Sequence, residues 1–481
     1  MTDRPAPTAL SDTTVPSTTP TTDLPTTTED RMSTQPTTST TVEAAVAPTS
    51  AERLSRGEPY VLAFGGQATP WRATLDEFVG LDRDLASVLV EVDAAVAALL
   101  APVATDLLTI TPRGARFLTD DAVPVTPAVA SADGAAADTA DISVPGILFA
   151  QHAAIASLPG AGVDATGPAA PAVAIGHSQG VLGVALLRAL TGADAVDDER
   201  VVEVHAIARL IGAAAARTTR RLDLGTVGES TPMLSVRGVT RRELDAVLAR
   251  VPGAQSLSVG VTNGRQAHIL SGRPAALEAV VAALEVAARR SADDRKERRR
   301  GGAVLSPVTE FLATSVPFHT PLLAPAVEDV VAWAERAGLD AGLARDLAVA
   351  VLIDPVDWPA SVAGALDSAG SRLVVDLGPG TVLTRLTEAV VAGTGTTVIP
   401  AGTARGVDDL DRPGAAPAPA VDRARFAPRL TRLPDGRLTL DTAFTRLTGR
   451  SAVLLSGMTP TTVDPEIVAA AANAGYWSEL A

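Results

Sequence analysis

Apolar residues in this chain fall into two rhythms. Short unbroken runs, Tyr60–Phe64, Pro171–Ile175 and Leu373–Leu377, read as strands, and each breaks off into glycine at Gly65-Gly66, Gly176 and Gly378. Other stretches carry apolar residues at helical spacing: Trp71 to Leu108, Gly146 to Leu158, Val181 to Leu190, and 198–220 with Ile207, Leu210 and Ile211 as its stripe. The pattern changes over 231–290. Met233–Val236, a helix over 240–250, Leu257–Thr262, His268–Ser271 and a helix Pro274–Arg289 give the order β-α-β-β-α of a small ferredoxin-like insertion. The larger fold resumes with Phe311–Pro325 and a helix over 325–337.

Other segments lack either rhythm. Residues 1–50 are dominated by Thr, Pro and Ser with few large apolar side chains, so burial cannot offset their ordering entropy and disorder is expected. Asp120–Asp141 reads as a surface insertion, and 404–424, rich in Ala, Pro and Asp, as a linker. Pro434-Asp435-Gly436 marks a hairpin turn. A strand Ala452–Leu455, a loop Gly457-Met458-Thr459 and a helix from Pro465 close the chain. That unit cannot cover its own apolar faces, so 426–481 reads as a domain cut off at its start.

Composition narrows the possibilities. A chain of 481 residues with 46% apolar and 20% charged residues can bury large cores. Its net charge of −15 argues against general nucleic-acid binding. The basic run Arg289–Arg300 is interrupted by Asp293, Asp294 and Glu297 and reads as a solvated helix end. The absence of cysteine removes thiol nucleophiles, disulfides and thiolate metal sites. No stretch approaches the ~20 apolar residues of a membrane span, and no signal peptide is visible, so the expected location is cytoplasmic, with no membrane partner.

The chemistry centres on Gly176-His-Ser-Gln-Gly180. A strand running into Gly-x-Ser-x-Gly and then a helix is a nucleophile elbow. The glycines Gly176 and Gly180 permit the turn, and the helix aims its positive end at Ser178. A base is sought among five histidines. His177 faces away from the serine and lines the pocket; His152 and His205 lie in helices, and His268 lies in a strand. His319, held in Ser315-Val-Pro-Phe-His-Thr-Pro321 downstream of the serine, is the candidate base. The backbone N–H of Gln179, with one from the glycine loop Phe64-Gly-Gly-Gln67, would form the oxyanion hole.

These pieces resemble the acyltransferase domains of fatty acid and polyketide synthases. The likeness is carried by Phe64-Gly-Gly-Gln67, Gly176–Gly180, Asn263-Gly264, Pro317-Phe-His-Thr-Pro321 and Gly378-Pro-Gly380. The Gly-His-Ser-Gln-Gly variant, with Gly457-Met-Thr-Pro-Thr-Thr-Val463 and Asn473-Ala-Gly-Tyr476, looks like the type I fatty acid synthase of fungi and of mycolic-acid bacteria and their relatives. The resemblance implies an α/β fold: an α/β-hydrolase-like parallel-sheet core with a nucleophile elbow and an inserted ferredoxin-like subdomain over 230–300. It places the acyltransferase at 58–402, a linker at 403–425, and the start of an enoyl reductase (β/α) flavin barrel at 426–481.

The same likeness implies Ser178 as acylated nucleophile, His319 as base and the N–H groups of Gln67 and Gln179 as the oxyanion hole. Asn263 would steady the pocket or the histidine loop, and the Gly378–Gly380 turn would offer a carbonyl to orient His319. Asp376 is an acid candidate by position only. Ala68 departs from the pattern, which has glycine there. Where malonyl-type relatives carry an arginine before a glycine, this chain has Ile211 before Gly212, while Arg209 points off that face. An unpaired buried carboxylate costs several kcal/mol, so Ile211 predicts an acetyl or other uncharged short acyl group.

The implied reaction takes this group from acyl-CoA to the phosphopantetheine thiol of an acyl carrier protein. Other synthase domains would be partners in an oligomeric assembly. No cofactor or metal is expected in this chain, and FMN would bind only with the full barrel. Three alternatives stand beside it: a malonyl-CoA:carrier transferase, a serine hydrolase or thioesterase, and a structural fragment of a larger synthase.

Overall fold

The computed structural model describes residues 48–111, 114–118, 139–191, 198–224, 230–298, 305–412, 429–433, 436–456 and 464–479. Expectations for 1–47, for 119–138 and for Gly457–Val463 fall outside them. Between residues 48 and 412 the strands are β1 (Val61–Phe64), β2 (Val173–Gly176), β3 (Met233–Arg237), β4 (Ser258–Gly264), β5 (Ala267–Ser271), β6 (Val308–Phe311), β7 (Val356–Asp357), β8 (Leu373–Asp376) and β9 (Thr397–Pro400).

Four of them form a parallel sheet in the order β2-β1-β8-β9. All four β1 residues are buried, which is why this strand reads as an unbroken apolar run. Leu62 and Phe64 pack into the large core with the helices Ala140–Ser157 and Asp198–Arg221. Val61 and Ala63 meet Trp358, Val362 and Leu383 on the opposite face. The helix Ala140–Ala161 is long and apolar enough to cross a membrane by length and composition, contrary to the sequence reading. Most of it is buried inside the protein, where a helix is covered on all sides and needs no polar face.

The remaining five strands form the order β6-β3-β5-β4-β7. Chain order β3-α-β4-β5-α-β6 with β6-β3-β5-β4 adjacency is the ferredoxin-like arrangement. The insertion is longer than its sequence pattern: β6 pairs antiparallel with β3, so Phe311 belongs to this sheet and not to the resumed core. Leu234, Val236, Leu244, Leu270, Leu277 and Leu284 give it a core of its own. Strand β7 joins β4 in parallel and ties the insertion back to the main fold.

The linker expectation is corrected over 404–412, and over 413–425 it lies outside the described residues. Ala404–Asp409 is a helix, capped by Thr403, and Ala404, Val407 and Leu410 are buried in the main core. Short apolar residues spaced for burial look like linker composition until something covers them. Beyond it, β10 (Leu430–Arg432) and β11 (Leu438–Leu440) form the expected antiparallel hairpin. β12 (Leu454–Leu455) and β13 (Trp477–Ser478) pair in parallel around the helix Pro465–Asn473.

Candidate active site

The first, second and third strands of the sheet to reach the site (β1, β2, β8) end on the same side, at Gly65, His177 and Leu377. This carboxyl edge is where open α/β sheets place reacting groups. Ser178 follows β2 with φ +56°, a left-handed conformation that costs a non-glycine residue about 1–2 kcal/mol. The turn holds because the next residues begin the helix Gly180–Leu190 and the flanking glycines leave room. A Cβ on Gly180 would run into the Phe64 carbonyl, and one on Gly176 into the Val181 amide.

Ser178 Oγ lies 2.7 Å from His319 Nε2. His319 also has a positive φ, +60°, on the loop after β6, and Thr320 anchors that loop through its N–H to Leu352 O at 3.1 Å. The other ring nitrogen, Nδ1, donates to the Asp354 backbone carbonyl at 2.6 Å, which leaves Nε2 as acceptor for the serine proton. The orienting carbonyl is therefore Asp354 O and not one from the Gly378–Gly380 turn. Gly378 O instead accepts from the Gly65 N–H at 2.7 Å, and Gly380 N–H bonds Gly402 O. Gly378 thus braces the glycine loop after β1, while Gly380 ties the turn to Gly402; both are at positive φ.

Asp376 is not a third catalytic acid. Its carboxylate is buried and turned to the Gly378 N–H (2.8 Å) and Thr384 Oγ1 (2.6 Å), and burial raises its pKa to about 6. The dyad is completed by a backbone carbonyl, for which no side-chain signal exists in a sequence.

The loop Gly65–Gln67 rests on the elbow. A Cβ on Gly66 would lie 2.6 Å from His177 O and 2.9 Å from Gln179 N, so glycine is what lets this loop lie against the backbone on either side of Ser178. Ala68, the departure from the family pattern, has φ +66°, the conformation that glycine adopts without penalty. His177 turns away from the serine: its Nε2 meets Asn263 Oδ1 at 2.7 Å and its ring sits edge-on to Trp358. Asn263, at the end of β4, thus contacts the elbow through His177 and not through the His319 loop.

Ile211 is fully buried on the helix Asp198–Arg221, which packs on the elbow helix. Arg209 is committed elsewhere. Its guanidinium binds the carbonyls of Asp141, Gly114 (2.7 Å) and Arg116 (3.3 Å). His152 and His205 face one another at 3.1 Å inside the core, and His268 lies 3.4 Å from Thr262 Oγ1. Among the described residues no group of three His, Asp or Glu side chains is placed to hold a metal.

One position escaped the sequence reading. Gly260 sits where β4 slips register against β5, and a Cβ there would lie 2.8 Å from His319 Cβ. An isolated glycine between valines in a strand is a signal for close backbone approach, and Val259-Gly260-Val261 carries it.

Burial lowers the His319 pKa to about 4, so the ring is neutral and able to take a proton well below the usual imidazole range. Acylation of Ser178 is therefore expected to stay level from pH 8 to about 5, where an ordinary histidine of pKa ~6.5 would already have lost most of its basicity. Stopped-time mass analysis of the adduct against pH checks this. Stability follows the same sign. His152, also lowered to about 4 by burial, and His319 bind protons more readily when unfolded. Their contribution is fully present above pH ~6.5 and is lost as pH falls from there through 4.

Residues 232–311 match the family model described as the fatty acid synthase central AT domain, a span that coincides with the β3–β6 insertion. The fatty acid synthase subunit beta of Aspergillus oryzae is 31% identical over 299 residues, covering 53% of this chain and 14% of that protein. The corresponding subunit of Saccharomyces cerevisiae is 26% identical over 294 residues, again 53% and 14%. The chain thus matches about one seventh of the length of these relatives. In fold it is similar to the malonyl-CoA:acyl carrier protein transacylase of Xanthomonas oryzae pv. oryzae. That likeness has a TM-score of 0.50 and 20% identity, covering 73% of this chain and 96% of that one. Over residues 232–311 the chain is thus similar to the fatty acid synthase central AT domain, and over 53% of its length to a part of these two fungal fatty acid synthase beta subunits.

Proposed function

We propose that this chain transfers an acetyl, or similar uncharged short acyl, group from coenzyme A to the phosphopantetheine thiol of a carrier protein, through an ester on Ser178. The observation that carries the reading is the 2.7 Å Ser178 Oγ–His319 Nε2 contact with Nδ1 held by Asp354 O. His319 takes the hydroxyl proton as Oγ attacks the thioester carbonyl. The N–H groups of Gln67 and Gln179 receive the oxyanion, and the coenzyme A thiolate leaves with the proton from His319. The carrier thiol then gives its proton to His319, attacks the ester and regenerates Ser178.

The uncharged acyl preference is supported by the buried Ile211 and by the commitment of Arg209 to backbone carbonyls, which leaves neither side chain to pair with a malonyl carboxylate. The sequence likeness to fungal fatty acid synthase subunits supports the carrier and the larger assembly as partners. The parallel β12–β13 unit suits the opening of a flavin barrel. None of the proposed transfer steps uses FMN.

Intact-mass analysis after mixing with acetyl-CoA and with malonyl-CoA tests the reading. The acetyl adduct is expected to dominate, to vanish in Ser178→Ala, and to pass to a phosphopantetheinylated carrier. A dominant malonyl adduct would overturn the specificity, and rapid ester hydrolysis without transfer would favour a hydrolase.

A further inference from the structure

We propose that Gln151 is a positioning residue for the oxyanion hole, a role that rests on the acyl-transfer reading of Ser178. The helix Ala140–Ser157 is almost wholly apolar around it, and Gln151 is fully buried. Its Nε2 donates to Gly65 O at 2.7 Å and reaches Gly378 O at 3.4 Å. Gly378 O also accepts from the Gly65 N–H. One amide thus clamps the loop after β1 to the turn after β8.

That loop continues through Gly66, which lies against Gln179 N and Ser178 Cβ, to Gln67. The height of the Gln67 N–H over the nucleophile is set by where Gly65 is held, and Gln151 holds it. The site is built around this side chain. A Cβ on Gly183 would lie 2.6 Å from Gln151 Oε1, so glycine on the elbow helix makes its room.

Stability does not explain the choice. Gln151 Oε1 is buried and without a protein partner, an arrangement that costs folding free energy which a methionine of similar shape would not. A residue kept for packing would be apolar. A residue kept to donate toward two carbonyls at a catalytic loop would be an amide.

The test uses diisopropyl fluorophosphate, whose reaction with Ser178 needs the base and the oxyanion hole but no acyl-CoA site. Gln151→Met is expected to lower the rate constant for diisopropylphosphorylation of Ser178, with loss of fluoride, by about 10–100-fold, less than the 10²–10³ for deleting an oxyanion donor outright, with an unchanged or higher Tm. A rate equal to wild type, or a slow variant that also melts well below it, overturns the proposal. Gln151→Glu supplies an independent check. Its ionised carboxylate repels both carbonyls, while its protonated form can donate to Gly65 O, so its rate relative to wild type should recover as pH falls. A ratio flat with pH overturns the proposal. Failure of the transfer reading looks different: wild type would react with the fluorophosphate yet take no acyl group from coenzyme A, and the Gln151 effect would persist.

Discussion

His319→Ala is expected to lower the rate of the proposed Ser178 acylation by about 10⁴-fold, the upper end of what a positioned general base contributes. The reason is geometric. His319 Nε2 lies 2.7 Å from the serine oxygen, and no second imidazole can replace it, because His177 is turned to Asn263 at 2.7 Å. Rapid-quench mass analysis with saturating acetyl-CoA reads the rate. The affinity for acetyl-CoA should hardly change, since the ring meets the proton in flight and not the nucleotide. Asp354→Ala is the control: it keeps the backbone carbonyl that orients Nδ1 and should retain most of the activity. A loss below tenfold in His319→Ala would show that another group takes the proton. A large loss in Asp354→Ala would show that the carboxylate, not the carbonyl, does the orienting.

Gly260→Ala carries the second largest effect. The added methyl carbon would fall 2.8 Å from His319 Cβ and 3.1 Å from His319 O, closer than side chains approach one another. The clash meets a loop that is already constrained: His319 is at φ +60° and Thr320 is anchored to Leu352. The cheapest relief is movement of the imidazole away from Ser178. Displacement of a reacting group by about 1 Å costs on the order of 10²-fold, so acylation should fall by that factor while the βαββαβ insertion stays folded. Single-turnover kinetics beside a thermal melt separate the two. An unchanged rate would mean that the insertion does not set the position of the base. The insertion would then be a neighbour of the active site and not part of its frame.

Much of this architecture was legible before any coordinates. The runs at Val61–Phe64 and Leu373–Asp376 announce buried parallel strands, because a strand covered on both faces has no polar alternation to show, and the half-buried edge strand Val173–Gly176 carries a similar apolar run. The elbow is legible for the same local reason: Gly176 and Gly180 sit where backbone crowding leaves no space for a Cβ. Where the sequence reading failed, the cause was long-range. The strand β6 has little apolar signal of its own and is explained by its pairing with β3. The helix Ala404–Asp409 resembles linker until the main core covers it. Asp376 looked like a catalytic acid because it ends a strand near the site, yet Thr384 and Gly378 consume its oxygens.

The candidate nucleophile and candidate base can be read from residue order alone, since glycine spacing around Ser178 and the proline-flanked loop around His319 are local properties. What holds them comes from segments distant in the chain. The orienting group is the Asp354 carbonyl, the wall behind the imidazole is Gly260, and the clamp on the oxyanion loop is Gln151. Every residue has a backbone carbonyl, and apolar helices often carry an amide. Such groups acquire a role only when folding brings segments far apart in sequence within hydrogen-bond reach.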